Sequence, residues 1–200
     1  MKLGIYGGTF SPVHNGHINA AKTFIEQCKL DKLLIIPAGI PPHKEVKGEV
    51  SPSQRLDMCR LGFSDISKAE VSDIELKRSG KSYTVMTVRE LFSEDLELFL
   101  LCGTDMMMTF DAWYCFEEIM QKCTLVCIRR ESDKDIGDKL EDKLNLYREK
   151  YSARIICLDT DAVEISSTEI REKIGKGRTV ASEIPTKVLQ YITENKLYTE

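Results

Sequence analysis

Short apolar runs alternate along the chain with longer stretches in which apolar residues recur every third or fourth position. Lys2 to Tyr6 has the length and composition of a buried strand, and two glycines end it. From His17 to Cys28, the residues Ile18, Ala21, Phe24, Ile25 and Cys28 fall on one helical face. Lys32 to Ile36 reads as a second strand stopped by Pro37. At Ser51-Pro52-Ser53-Gln54, a capping serine, a proline at the first helical position and a glutamine at the third predict a helix from Pro52 to Phe63. Strand material follows at Ala69 to Leu76, a helix at Tyr83 to Phe92 and another buried strand at Glu97 to Cys102. Strands at Thr124 to Arg129 and Arg154 to Leu158 enclose a charged helix from Asp135 to Lys150. Helices at Ser167 to Lys176 and Pro185 to Asn195 close the chain.

Strands separated by helices imply a parallel sheet covered on both faces. Right-handed crossovers then give a doubly wound α/β fold. The 200 residues fit one domain, 1–200, with a small helical C-terminal part from about 160. Such sheets bind ligands beyond the carboxyl ends of their strands, where the strand order reverses. The turn after the first strand is therefore the first place to look for chemistry.

Composition narrows the partners. Hydrophobic residues make up 42% and charged residues 30%, as in an ordinary soluble protein, which excludes disordered and low-complexity classes. Lys and Arg total 28 against 32 Asp and Glu, so the net charge is −4. That balance disfavours nucleic acid as a partner, and any phosphate must be held by a local site. The seven cysteines are odd in number, irregularly spaced and mostly inside apolar runs, which reads as reduced thiols in a cytosolic core. Cys123 and Cys127 are four apart, but no second pair with zinc spacing follows, so no protein metal site is expected. The first apolar run ends too soon for a signal peptide, and no segment is long enough to span a membrane. A cytoplasmic protein with no membrane partner is expected. The sequence leaves room for a homo-oligomer without specifying one.

The first turn reads Gly7-Gly8-Thr9-Phe10-Ser11-Pro12-Val13-His14-Asn15-Gly16-His17. Glycines let backbone approach a ligand closely, and the helix start offers free N–H groups and partial positive charge. His14 and His17, two of only three histidines, share a direction at that helix start. Imidazoles, the Thr9 hydroxyl and backbone amides could together hold a polyphosphate. The third histidine, His43, lies with Lys44 in a proline-stiffened loop after the second strand. Ser166 and Glu169 have capping-box spacing in Ile165-Ser166-Ser167-Thr168-Glu169-Ile170-Arg171, which reads either as a surface helix start or as a second anion site. Gly103-Thr104-Asp105 follows another strand, where Asp105 could accept hydrogen bonds from a ribose. Trp113 and Tyr114 read as core aromatics or as a stacking surface. Gly80-Lys81-Ser82 imitates the end of a P-loop, but Glu75 stands where its first glycine belongs, so an ordinary turn is expected there. The dinucleotide fingerprint is absent.

Taken together, GGTFSPVHNGH (7–17), PPHK (41–44), RSGKSYTVMTV (78–88), LLCGTDMMMTFDAW (100–113), ISSTEIREKI (165–174) and IPTKVLQYITENKLY (184–198) resemble the nucleotidyltransferase superfamily with the T/H-x-G-H motif. Within it they look like the bacterial nicotinate-nucleotide adenylyltransferases. The resemblance implies a Rossmann-like domain that moves AMP from ATP to nicotinate mononucleotide with Mg²⁺ assistance, releasing pyrophosphate. It implies that His14 and His17 bind the ATP phosphates and stabilise the transferring group. Gly7, Gly8, Thr9, Phe10 and Gly16 would form the phosphate turn. Ile165, Ser166, Ser167, Thr168 and Arg171 would hold the outer phosphates, and Gly103 and Asp105 the adenosine ribose. His43, Lys44, Ser82, Tyr83, Thr84, Trp113 and Tyr114 would receive the mononucleotide, with Lys44 balancing phosphate charge and Trp113 stacking on the pyridine ring. Met86 departs from the aspartate common in that segment, Cys102-Gly103-Thr104-Asp105 from a Gly-Ala-Asp form, and Ser182-Glu183 from a Tyr-Leu pair. A sibling enzyme using nicotinamide mononucleotide or phosphopantetheine, and a nucleotide-binding regulator without turnover, are the competing readings.

Overall fold

A computed structural model describes residues 1–41, 50–129, 137–159 and 165–199. Six parallel strands form one sheet in the order β3-β2-β1-β4-β5-β6. They are β1 (Lys2–Gly8), β2 (Lys32–Pro37), β3 (Ala69–Val71), β4 (Glu97–Gly103), β5 (Cys123–Arg129) and β6 (Ile155–Asp159). The helices are α1 (Asn15–Gln27), α2 (Pro52–Gly62), α3 (Thr84–Leu91), α4 (Thr104–Met108), α5 (Phe116–Lys122), α6 (Gly137–Tyr151), α7 (Ser167–Gly175) and α8 (Thr186–Glu194). The doubly wound expectation is met, and its physical origin is visible in the strands. Leu98, Leu100 and Cys102 of β4 enter one core cluster while Phe99 and Leu101 enter the other. A strand buried on both faces reads as a continuous apolar run rather than an alternating one.

The chain runs outward from β1 to β3, then returns to place β4 on the other side of β1. The strand order reverses between β1 and β4, so a cleft opens beyond their carboxyl ends. The loops after β1, β2 and β4 wall it.

Several expectations need correction. The strand material from Ala69 to Leu76 shrinks to three residues of edge strand. Beyond it the Asp73 carbonyl accepts from the Leu76 and Lys77 amides, closing a turn that Asp73 and Lys77 brace with a 2.9 Å ion pair. Pro37 does not stop β2 but ends inside it, paired with Gly8. The helix after the first turn begins at Asn15 rather than His17, and the charged helix extends to Tyr151. Two short helices, α4 and α5, have too few turns to show a period and were not expected. No helix among the described residues is long and apolar enough to cross a membrane.

All seven cysteines are free thiols, five of them buried. Cys102, Cys127 and Cys157 stand in register across β4, β5 and β6.

Candidate active site

The turn after β1 is built so that its carbonyl oxygens are already occupied. Gly8 accepts from the Ala38 amide at 2.8 Å, and Thr9 from Arg55 Nη1 at 2.9 Å. Ser11 accepts from Arg171 Nη1 at 2.7 Å, and Pro12 from the Ser167 hydroxyl at 3.0 Å. With the negative ends of four peptide dipoles matched, the turn is left able to receive an anion. Gly8 leaves little room for a side chain, because a Cβ there would stand 3.0 Å from the Phe10 ring, which would have to give way.

Phe10 turns its ring away from the cleft. Its ring is 2% exposed and packs edge-on against Tyr6, Phe63 and His17 at centroid distances of 5.3, 5.9 and 5.0 Å. Phe10 thus supports the turn from the core with its ring, leaving its backbone in the turn. Its φ of 50° lies in the left-handed region, a strained geometry held by that packing.

His14 is buried and its ring stacks on His17 at 3.6 Å with a 27° tilt. The His14 backbone N–H donates to His17 Nδ1 at 3.2 Å. An Nδ1 that accepts carries no proton, so a neutral His17 ring bears its hydrogen on Nε2 and offers it as a donor. Held between Phe10 and His14, that ring has little freedom to turn away. Gly16 lies in the first turn of α1.

On the far side of the turn, α7 is capped by Ser166, whose hydroxyl accepts from the Thr168 amide at 3.2 Å. The reciprocal capping box expected from Ser166 and Glu169 does not form, because Ser166 caps one residue earlier. Arg171 bridges Ser11 and the Thr168 hydroxyl, the latter at 3.2 Å from Nη2. Ser167 and Arg171 therefore also fix the turn, a second task beside the phosphate contacts expected of them. Ile165 is half-buried against the core. Gly103 caps α4, and Asp105 is exposed in its first turn at the end of β4.

Beside the turn lies a cavity of about 190 Å³. Gly7, Gly8 and Thr9 line it together with Ser82, Tyr83, Thr84, Trp113 and Tyr114, so the turn and the proposed mononucleotide residues share one space. Trp113 stacks one face on Phe110 at 4.8 Å, which holds the indole flat against the cavity wall. Tyr114 is 56% exposed and lies 5.0 Å from the Tyr83 ring. No side chain caps α3, whose first residue Thr84 lines the same space. The Met86 amide is taken by the Tyr83 carbonyl at 3.0 Å, and the Thr84 and Val85 amides, with no such bond among the described residues, suit a carboxylate or phosphate. His43 and Lys44 lie outside the described residues.

Three residues organise this cavity: Ser82, which the resemblance assigned to the mononucleotide, and Glu75 and Gly39, which sequence reasoning passed over. Ser82 is buried, and its hydroxyl accepts from the Gly39 and Ile40 amides at 2.9 and 3.3 Å. Glu75 is also buried and accepts from the Thr87 hydroxyl at 2.7 Å. Gly39 must be glycine, since a Cβ would stand 2.7 Å from the Glu75 carbonyl. The motif that imitates a P-loop is a turn, with Gly80 at φ 87°, yet its serine and the misplaced glutamate are what hold the cavity loop.

Burial raises the Glu75 carboxyl above the usual range, against hydrogen bonds from Thr87 and Ser82 and the nearby Arg78 charge. A raised folded value means that the folded chain binds more protons than the unfolded one just above pH 4.5. Wild-type protein should therefore gain stability relative to Glu75→Gln as pH falls from about 7 to about 5. Urea midpoints at the two pH values measure this, and the reverse slope would mean that the hydrogen bonds outweigh burial.

Comparison with known proteins agrees with this geometry. Residues 5–173 match the cytidylyltransferase-like family. The chain is 38% identical to a "Probable nicotinate-nucleotide adenylyltransferase" of Clostridium acetobutylicum over 98% of both proteins. It is 36% identical to a protein of the same description from Synechococcus over 98% of this chain and 94% of that one. Its fold resembles that of the Plasmodium falciparum nicotinic acid mononucleotide adenylyltransferase complexed with NaAD, with a TM-score of 0.76 at 16% identity over 98% and 97% of the two chains. By sequence over its whole length and by its phosphate turn, the chain belongs to the cytidylyltransferase-like family and, within it, to the nicotinate-nucleotide adenylyltransferases.

Proposed function

We propose that the protein transfers the adenylyl group of MgATP to the phosphate of nicotinate mononucleotide, yielding nicotinate adenine dinucleotide and pyrophosphate in NAD biosynthesis. The observation that carries this reading is one cleft with two anion-receptive backbone elements. The carbonyl-matched turn with its histidines faces the triphosphate, and the uncapped start of α3, beside Trp113, faces the pyridine carboxylate. Both substrates are intracellular metabolites, and we place the reaction in the cytoplasm.

The attacking phosphate has a second pKa near 6, so it is already largely dianionic at neutral pH and needs no base. The barrier is the approach of two anions and the charge that develops as pyrophosphate departs. Fixed donors and positive ends of dipoles lower it most. His17 Nε2–H, the amides of the turn and the start of α1 supply them at the α-phosphate. Arg171, Ser166 and Thr168 stand where the outer phosphates would extend, and Lys44 adds a point charge. Magnesium travels with the triphosphate, as its preference for phosphate oxygens and water favours. Trp113 receives the pyridine ring on the face that Phe110 leaves open, and Asp105 accepts from the adenosine ribose.

The mononucleotide phosphate is itself the nucleophile, so attack is direct and in line. The phosphorus oxygen of the mononucleotide bonds to the α-phosphorus as the bond to pyrophosphate breaks. Turnover of ATP made chiral at the α-phosphorus by sulfur should invert its configuration. Retention would require two displacements and a covalent intermediate, against this mechanism.

A further inference from the structure

Among the largest fully buried side chains of the described residues is a charged one, Arg55 of α2, which is 1% exposed. Its Nη1 donates to the Thr9 carbonyl at 2.9 Å, and its Nη2 to the Gly39 carbonyl at 3.0 Å. Those carbonyls belong to the loops after β1 and β2, two walls of the cleft. Its Nε is buried without a hydrogen bond. Among the described residues, no carboxylate forms an ion pair with it. Buried guanidinium groups are rare without such a partner, because losing water is costly for a fixed charge.

The surroundings add positive charge rather than negative. Tyr198, from the C-terminal tail, reaches under the same turn and hydrogen-bonds the Ser11 hydroxyl at 2.9 Å. Its phenol feels both Arg55 and Arg171. Two guanidinium groups and a phenol thus lie beneath one turn. Burial lowers the Arg55 pKa, with only Cys59 and Tyr198 acting in the other direction. A layer of this kind is matched by an anion from outside the protein.

We propose that Arg55 is a positioning residue for the ATP phosphates. It fixes the Thr9 and Gly39 carbonyls, so that the loop after β1 keeps its amides toward the triphosphate while the loop after β2 stays locked beside it, and its charge finds its counter-ion in the bound nucleotide. The inference rests on the adenylyltransferase reading. Arg55 touches no reacting atom and acts through the two loops it joins.

A purely structural latch would cost stability and leave the folded enzyme's use of ATP unchanged. Arg55→Ala, assayed well below its melting temperature, should lose about 100-fold in kcat/KM for ATP. Its KM for nicotinate mononucleotide should stay within about threefold of wild type. Millimolar guanidinium should restore about tenfold of the loss in Arg55→Ala and nothing in wild type. Arg55→Lys keeps the charge but lacks the fixed fork, and should still lose about tenfold for ATP. If the alanine variant does not fold, the lysine variant decides. ATP kinetics and an ATP-induced rise in melting temperature equal to wild type, in either folded variant, would overturn the proposal. Wild-type protein that is stabilised by ATP but releases no pyrophosphate with any mononucleotide would instead overturn the enzymatic reading.

Discussion

Replacement of His17 by alanine will lower kcat by roughly 100- to 1000-fold, the range seen when one preorganised donor to a developing charge is lost. The Michaelis constant for nicotinate mononucleotide will stay within about threefold, because the proposed seat of the pyridine end, at Trp113 and α3, lies away from this ring. The magnitude follows from how the imidazole is held. His14 donates its backbone N–H to Nδ1 and stacks its own ring alongside, so Nε2–H is fixed without reorganisation. Steady-state rates with each substrate varied separately check it. His17→Asn, which keeps a donor on a shorter stem, should recover part of the loss. Unchanged turnover in His17→Ala would remove the ring from the mechanism.

Phe10→Ala will lower stability by about 3–5 kcal/mol, the usual cost of deleting a fully buried aromatic ring. For a chain of this size that corresponds to a drop of roughly 10 °C or more in Tm. The ring meets Tyr6, Phe63 and His17, and three edge-on aromatic contacts go with it. The φ of 50° would remain, now without the packing that offsets it. Because the same ring backs His17, the variant should also lose activity at temperatures where it is still folded. Calorimetry with parallel rate measurements separates the two effects. A Tm within about 2 °C of wild type would mean that the ring contributes little packing.

Much of the site was legible because its signals are local. The turn from Gly7 to His17 announces itself by glycines and paired histidines between a strand and a helix, and the structure puts it at the reversal of strand order. Ser51 with Gln54 forms the capping box that its spacing predicts, with bonds of 2.9 and 3.2 Å. Ser166 with Glu169 has the same spacing and does not, because the serine turns to the Thr168 amide instead. Spacing permits a cap but does not choose among neighbouring amides.

What escaped the sequence is held together over long separations. Arg55 meets Thr9 across 46 residues, and Tyr198 meets Ser11 across 187. An arginine in an amphipathic helix ordinarily reads as solvent-facing, and nothing local marks this one as buried. Glu75 was set aside with a failed P-loop match, although its buried carboxylate accepts from Thr87, while Ser82, expected at the mononucleotide, also holds the loop after β2 through the Gly39 amide. Gly39 carried a signal in retrospect, as a lone glycine after a strand, but its need appears only with the Glu75 carbonyl in view.

Release of pyrophosphate from MgATP, followed with nicotinate mononucleotide and nicotinamide mononucleotide in parallel, tests the assigned activity most directly. A carboxylate can be met by the amides at the start of α3, whereas an amide forgoes that charge-assisted contact. The nicotinate form should therefore react with a kcat/KM at least about tenfold higher. Nicotinate adenine dinucleotide should appear in equal amount with pyrophosphate. Equal rates would assign the cavity to both pyridine nucleotides, and turnover only with phosphopantetheine would contradict the nicotinate assignment.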